Sequence, residues 1–263
     1  MQYNNRCAVK RGKSCPIRCD IPLNITYLNT HTVAVILNIE TSTEVCSAAL
    51  TAEGMILFHL ENFEGQNHAT MLTGFVKRCL DYARDKELKL DAVAVSMGPG
   101  SYTGLRIGLS EAKGLAYALD IPLIGISTLQ LMTVSAMFRN DIDPEVLYAP
   151  MIDARRMEVY TAIYDLGLNT LVEPTPLIVE PDSFDKWLKE NKVAFFGNGS
   201  DKVRNVIKND NAIFIEDIKP LAVDMCALAE RAYSRKEFLD TAYCTPEYLK
   251  EFQATKPKKT FLR

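Results

Sequence analysis

The sequence predicts an α/β protein of two duplicated βββαβα lobes, and three observations carry that prediction. Strand and helix signals run twice through nearly the same order. The first strand of each run ends on an acid, Glu40 and Asp153. A glycine loop recurs at the matching place, Gly98-Pro99-Gly100-Ser101 and Gly197-Asn198-Gly199-Ser200. A chain of 263 residues has room for two such lobes. We expect a first lobe over 33–138, a second with its tail over 139–263, and a disordered extension over 1–32.

The first run opens with an apolar strand from Val33 to Glu40. Strands over Cys46 to Ala52 and Met55 to Glu61 follow, joined at Glu53-Gly54 as a hairpin. Met71, Leu72, Phe75, Val76, Cys79 and Leu80 recur at helical spacing, which predicts a helix over His68 to Asp85. A strand over Asp91 to Ser96, a helix over Thr103 to Leu119 and a strand over Pro122 to Ile126 come next. Ser127 then caps a helix ending near Phe138.

In the second run, strands cover Val146 to Asp153 and Glu158 to Tyr164, with a further strand near Leu177. Asp182 or Ser183 caps a helix through Asn191, a strand leads to Phe196, and helices cover Lys202 to Lys208 and Ala222 to Arg235. Aligning "NIETSTEVCSAALTAEG" with "MIDARRMEVYTAIYDLG" pairs Glu40 with Asp153. It pairs Glu44-Val45 with Glu158-Val159 after one extra residue at Met157.

Composition narrows the function classes. At 48% hydrophobic and 24% charged, with no apolar run of about 20 residues, the chain reads as soluble. A net charge of −3 leaves the body without a general basic surface for nucleic acid; the basic runs Arg6 to Arg18 and Lys256 to Lys259 read as solvated tails. Seven cysteines in no even framework suggest reduced thiols in the cytosol, with Cys46, Cys79 and Cys226 as buried apolar residues. Cys7, Cys15 and Cys19 lack the second close pair that would complete a metal site.

Duplicated lobes with an acid closing each first strand describe the actin-like, ribonuclease H-like ATPase fold shared by actin, sugar kinases and Hsp70. There the two acids face one another across a cleft and hold magnesium and phosphates. Glu40, Thr41, Ser42, Gly98, Gly100, Ser101, Asp153, Gly197 and Gly199 are therefore candidates for a nucleotide site. Asp153 is followed by Ala154, Arg155 and Arg156 where a phosphate hairpin usually carries glycine, so the site reads as vestigial or weak. "GPGSYTG" is neither a P-loop nor a dinucleotide fingerprint, since the lysine is missing and Gly104 falls one residue late. Strand, glycine turn and helix N-terminus can still favour an anion, with Ser101 and Thr103 more simply as caps. Only His31, His59 and His68 are present, with no pair spaced for a metal and no nucleophilic triad, so no metal and no catalytic residue is assigned.

The helix after the loop carries Gly104, Gly108, Ala112 and Ala116 at successive i+4 positions. Glycine inside a helix costs about 1 kcal/mol against alanine, so a bulk-free strip needs a compensating gain. Packing on the lobe's own sheet and packing against another molecule are both open. With the helix from His68, two copies could form a four-helix interface.

"ILNIETSTEVCSAAL", "SMGPGSYTGLRIGLSEAKGLA", "IPLIGISTL", "MIDARRMEVY", "FFGNGS" and "PEYLKEF" together resemble the TsaB (YeaZ) family of the bacterial tRNA threonylcarbamoyladenosine pathway, over about Val33 to Lys250. The resemblance implies a non-catalytic scaffold that activates its paralogue TsaD. TsaD transfers threonylcarbamoyl to N6 of adenosine 37 in tRNAs reading ANN codons. It further implies TsaE, an ATPase, as a second partner, a homodimer when alone, and tRNA contact through the complex. ATP and metal belong to the partner subunits, no cofactor to this chain, and the setting is cytoplasmic, without membrane. Where TsaD places a histidine pair after its N-P-L strand, "IPLIGISTLQLMT" has none, which argues against autonomous transfer. The family's partner interface falls on His68, Met71, Leu72 and Phe75 of one helix and on Gly104, Ile107, Gly108, Glu111, Ala112 and Leu115 of the other. The competing reading is an autonomous actin-like ATPase or small-molecule kinase resting on Glu40, Asp153 and the glycine loops. A third is direct RNA binding through the basic tails.

Overall fold

Alternating apolar residues buried on both faces build the first sheet, and the computed structural model, which describes residues 34–65, 67–139 and 145–250, shows how. The expected extension over 1–32, with its three cysteines and His31, and the basic run Lys256 to Lys259 lie outside the described residues.

Strand β1 (Ile36–Glu40) sits at the centre of a five-stranded sheet with β2 (Cys46–Ala52), β3 (Met55–Asn62), β4 (Ala92–Gly98) and β5 (Leu123–Ser127), in the order β3-β2-β1-β4-β5. β1, β4 and β5 run parallel, while β2 and β3 are antiparallel hairpin partners. Glu53 and Gly54 both take left-handed φ at the β2–β3 turn, the geometry a two-residue hairpin with the strands' twist requires. Helices α1 (His68–Asp85) and α2 (Tyr102–Leu119) cover one face, packing on Leu37, Ile39, Val93 and Val95. Both helices match the expected ranges to within one residue.

The second lobe repeats the topology. β6 (Leu147–Asp153), β7 (Glu158–Tyr164), β8 (Thr170–Ile178), β9 (Val193–Phe196) and β10 (Ala212–Ile215) stand in the order β10-β9-β6-β7-β8, again with three parallel strands and two antiparallel. The ladder corrects one detail of the internal alignment. Glu40 pairs with Ser47 and Asp153 with Val159, so Val159 answers to Ser47 and the second turn is one residue shorter, not longer. Each glycine loop ties to the central strand of its lobe, but at a different point: Ser101 N donates to Ser42 O at 2.6 Å, beyond Glu40, and Gly199 N donates to Met151 O at 3.1 Å, before Asp153.

Three expected helices differ. The one over 183–191 is a single turn, α4 (Asp185–Leu188), because the Ser183 hydroxyl accepts from the Glu180 amide instead of capping it. The next, α5 (Ser200–Arg204), starts directly after the glycine loop and ends early. Strand β10 follows it, a four-residue run too short to show a period. The last is a 3-10 turn (Ala222–Met225) continued by α6 (Cys226–Ser234).

Helix α3 (Thr128–Arg139) joins the lobes and is buried almost all round. Leu131 and Val134 pack into the first lobe, Leu129, Met132 and Ala136 into the second. After the second lobe the chain comes back. Met225, Leu228, Ala229 and Ala232 pack on Ile36, Ala92, Ala94 and Ile124 of the first sheet. Leu239 N then donates to Leu123 O at 2.8 Å, and Glu247 N to Met97 O at 2.7 Å. The C-terminal strap therefore lies on the first lobe. Cys46, Cys79 and Cys226 are buried free thiols, and burial pushes them up to about 12, 12 and 11 respectively, out of reach of thiolate chemistry.

Candidate functional site

Two concave features meet at the N-terminus of α2. One is a cleft of about 730 Å³ between the lobes, lined on one side by Ser42, Glu44, His68, Ser101 and Thr103 and on the other by Ile152, Asp153, Arg155, Tyr160 and Asn198. The other is a groove of about 580 Å³ on the outer side of α1 and α2, lined by Ala69, Thr73, Tyr102, Thr103, Arg106, Ile107, Ser110 and Glu111.

Of the nucleotide-site candidates, Ser42, Gly100, Ser101 and Asp153 line the cleft. Glu40, Thr41, Gly98, Gly197 and Gly199 do not; they support the loops behind it. Glu40 is 0% exposed and accepts a hydrogen bond from the Ser42 amide. Burial raises its carboxyl to about 7, against the lowering effect of hydrogen bonds from Ser42, Ser96 and Thr41. Its second oxygen, Oε2, has no hydrogen bond of ordinary geometry, although the Ser42 and Ser96 hydroxyls stand close enough to lower the pKa. A carboxyl sealed in this way does not face a cleft ligand.

Asp153 is exposed to the cleft but engaged. Its Oδ1 accepts from Lys202 Nζ and from the Arg155 amide, at 2.8 Å for the latter. Lys202 also donates to the carbonyls of Arg156 and Glu158, so one ammonium group holds the whole β6–β7 turn. Arg155 and Arg156 take left-handed φ of 70° and 53°, the conformation for which glycine is the usual choice. Of the two, Arg155 lines the cleft and Arg156 does not. His68 Nε2 lies 3.0 Å from Thr43 O, a loop-to-helix tie. Among the described residues no group of three or more His, Cys, Asp and Glu could hold a metal ion.

The bulk-free strip of α2 faces inward, and this settles the alternative left open by the sequence. Gly104, Gly108, Ala112 and Ala116 are buried against the lobe's own sheet. A Cβ on Gly104 would stand 2.1 Å from Thr41 O, and one on Gly108 would stand 2.2 Å from Thr41 Oγ1. Thr41 Oγ1 donates to Gly104 O at 2.8 Å, so the strand end docks directly on the helix backbone. Ser101 caps α2, accepting from Gly104 N at 3.2 Å.

As a correction to the expected interface, Gly104, Gly108 and Ala112 on α2 and Leu72 and Phe75 on α1 belong to the core of this lobe. The accessible face consists of Ala69, Thr70, Thr73, Gly74 and Lys77 on α1 and of Thr103, Arg106, Ser110, Gly114 and Tyr117 on α2. His68, Met71, Ile107, Glu111 and Leu115 lie half-buried beside it. Helical spacing alone could not separate these faces, because glycine and alanine serve a close internal contact and a close external one equally well.

Comparison with known proteins places this geometry in a family. A family model described as "TsaD: tRNA N6-adenosine threonylcarbamoyltransferase" matches residues 62–258. The tRNA threonylcarbamoyladenosine biosynthesis protein TsaB of Escherichia coli K12 is 31% identical over 227 residues, covering 84% of this chain and 96% of that protein. Its Bacillus subtilis counterpart is 31% identical over 181 residues, 66% of this chain and 75% of that protein. The solved YeaZ structure from Pseudomonas aeruginosa superposes with a TM-score of 0.69 at 29% identity, covering 82% of this chain and 100% of that one. With the matched span running through both lobes, the chain belongs to the TsaB (YeaZ) family of tRNA threonylcarbamoyladenosine biosynthesis proteins.

Proposed function

We propose that this chain is a non-catalytic subunit that binds and activates a TsaD-type paralogue for threonylcarbamoyl transfer to N6 of adenosine 37 in tRNA. The observation that carries the reading is the outer groove along α1 and α2. Its floor is made of small or half-buried side chains, Ala69, Thr73, Ile107 and Ser110, flanked by Arg106 and Glu111. Such a surface admits another helix pair closely and offers one charge of each sign for register. The same face would serve a homodimer when the chain is alone. TsaE joins the pair, tRNA is reached through the complex, ATP and metal are held by the partners, and the setting is the cytoplasm. No described helix is long and apolar enough to cross a membrane.

An autonomous ATPase or kinase finds less support. Glu40 is sealed from the cleft, Asp153 is held by Lys202, and Arg155 lines the cleft in a turn where a phosphate hairpin usually carries glycine.

Ile107→Arg tests the reading. The side chain lies half-buried in the groove, one flank packed against the core of the first lobe, and an arginine there can carry its charged head out into the groove where it obstructs docking. Titration calorimetry against a TsaD-type paralogue is expected to show at least about a hundredfold weaker binding, the scale of a central interface residue, with the variant still melting in one cooperative transition. Unaltered affinity would refute the groove as the partner site.

A further inference from the structure

The C-terminal strap ties the two lobes together at the point where cleft and groove share a wall. Arg106 stacks on the Tyr102 ring, 4.1 Å from its centroid, and its Nε donates to the Tyr248 hydroxyl at 2.9 Å. The two tyrosine rings lie 4.9 Å apart. Two residues further on, Lys250 pairs with Glu158 at the foot of β7 in the second lobe. Within three residues the strap therefore fastens first to one lobe and then to the other. Upstream it is held to α2 by Lys113, whose Nζ donates to Ala242 O and Cys244 O at 3.1 and 3.0 Å.

Tyr102 lines both the cleft and the groove, and Arg106 lines the groove. An occupant of the groove that engages Arg106 competes with Tyr248 for the same guanidinium. Losing that contact loosens the strap between the Glu247 N–Met97 O bond and Lys250, while the Glu44–Lys219 pair, at 3.3 Å, remains as a second tie between the first lobe and the chain following the second. The strap is suited to release. The Arg106–Tyr248 and Lys250–Glu158 contacts are exposed, and no helix or strand holds residues 241–250.

We propose that Tyr102, Arg106 and Tyr248 form a latch that couples occupation of the outer groove to the freedom of the two lobes about the cleft. The coupling to a partner rests on the scaffold reading above; the latch itself does not.

Hydrogen exchange on the full chain separates the two. In Arg106→Gln and Tyr248→Ala, amides of 241–250 and of the 154–158 turn are expected to exchange about tenfold faster, the scale of one charge-assisted hydrogen bond with a stacked cation. Amides in the middle of α1 and α2 should not change. Tyr248→Phe, which keeps the ring and removes only the acceptor, should move the same amides less. A 154–158 turn that stays at wild-type exchange in all three variants would overturn the latch. With wild-type chain and saturating TsaD-type paralogue, the same two segments are expected to exchange faster. Binding without that change would overturn the latch and leave the partner reading standing. No binding would overturn both the partner reading and the coupling built on it.

Discussion

Gly104→Ala is expected to destabilise the protein by about 2 kcal/mol, the reverse of what the same change does in an ordinary helix. In an exposed helix interior, alanine gains about 1 kcal/mol over glycine. At Gly104 the added methyl would stand 2.1 Å from a backbone carbonyl, Thr41 O, and overpacking of this kind costs about 1–3 kcal/mol because strand and helix must separate. Gly108→Leu should be worse still, since the same strand end, at Thr41 Oγ1, is 2.2 Å away and a longer side chain follows. Gly74 and Gly114 supply the contrast. A Cβ at either meets nothing within 4 Å, so alanine there should stabilise by about 1 kcal/mol. Urea denaturation of the four variants decides the matter. If Gly104→Ala gains stability as Gly114→Ala does, the strip is not the internal seam described here, and its role must be sought outside the lobe.

The second large effect is a pH-dependent one at Glu40. The folded protein holds this carboxyl up to about 7, above its ordinary 4.5, chiefly by burial. The unfolded chain thus releases the proton first as pH rises. Stability is full below the unfolded value, declines between about 4.5 and 7, and stays reduced above. A shift of that size is worth on the order of 3 kcal/mol at pH 8. Glu40→Gln removes the ionisation. Its carboxamide oxygen can still accept from the Ser42 amide, and its nitrogen can donate to the Ser42 and Ser96 hydroxyls, which lack partners of ordinary geometry. The variant should match wild type near pH 4 and exceed it by about 3 kcal/mol at pH 8. A difference that does not vary with pH would mean that the carboxyl is not buried as described. A catalytic or metal-holding Glu40 would instead lose function on this change.

The sequence carried most of the architecture because its signals were local and repeated. The helical period from His68 and the Glu53-Gly54 turn both appear where expected. The recurrence of acid and glycine loop identified the duplication even though the alignment set Val159 against Val45, two residues from its true counterpart Ser47. What it could not carry were facts of orientation. Gly104 and Gly108 look alike whether they meet a partner or their own strand; only the position of Thr41 decides. Glu40 ends β1 as an ATPase acid would, but its side chain faces the side covered by α3 and the chain that returns from the second lobe. The strap joining Tyr248 to Arg106 spans 142 positions of sequence and has no local signature.

The most direct test of the account is mass spectrometry of tRNA nucleosides from cells depleted of this protein and complemented with variants. Threonylcarbamoyladenosine should fall on depletion. It should return with wild type and with Glu40→Gln, and stay low with Ile107→Arg produced at wild-type levels. Full restoration by Ile107→Arg, or failure of Glu40→Gln, would contradict a scaffold acting through the outer face of its two helices.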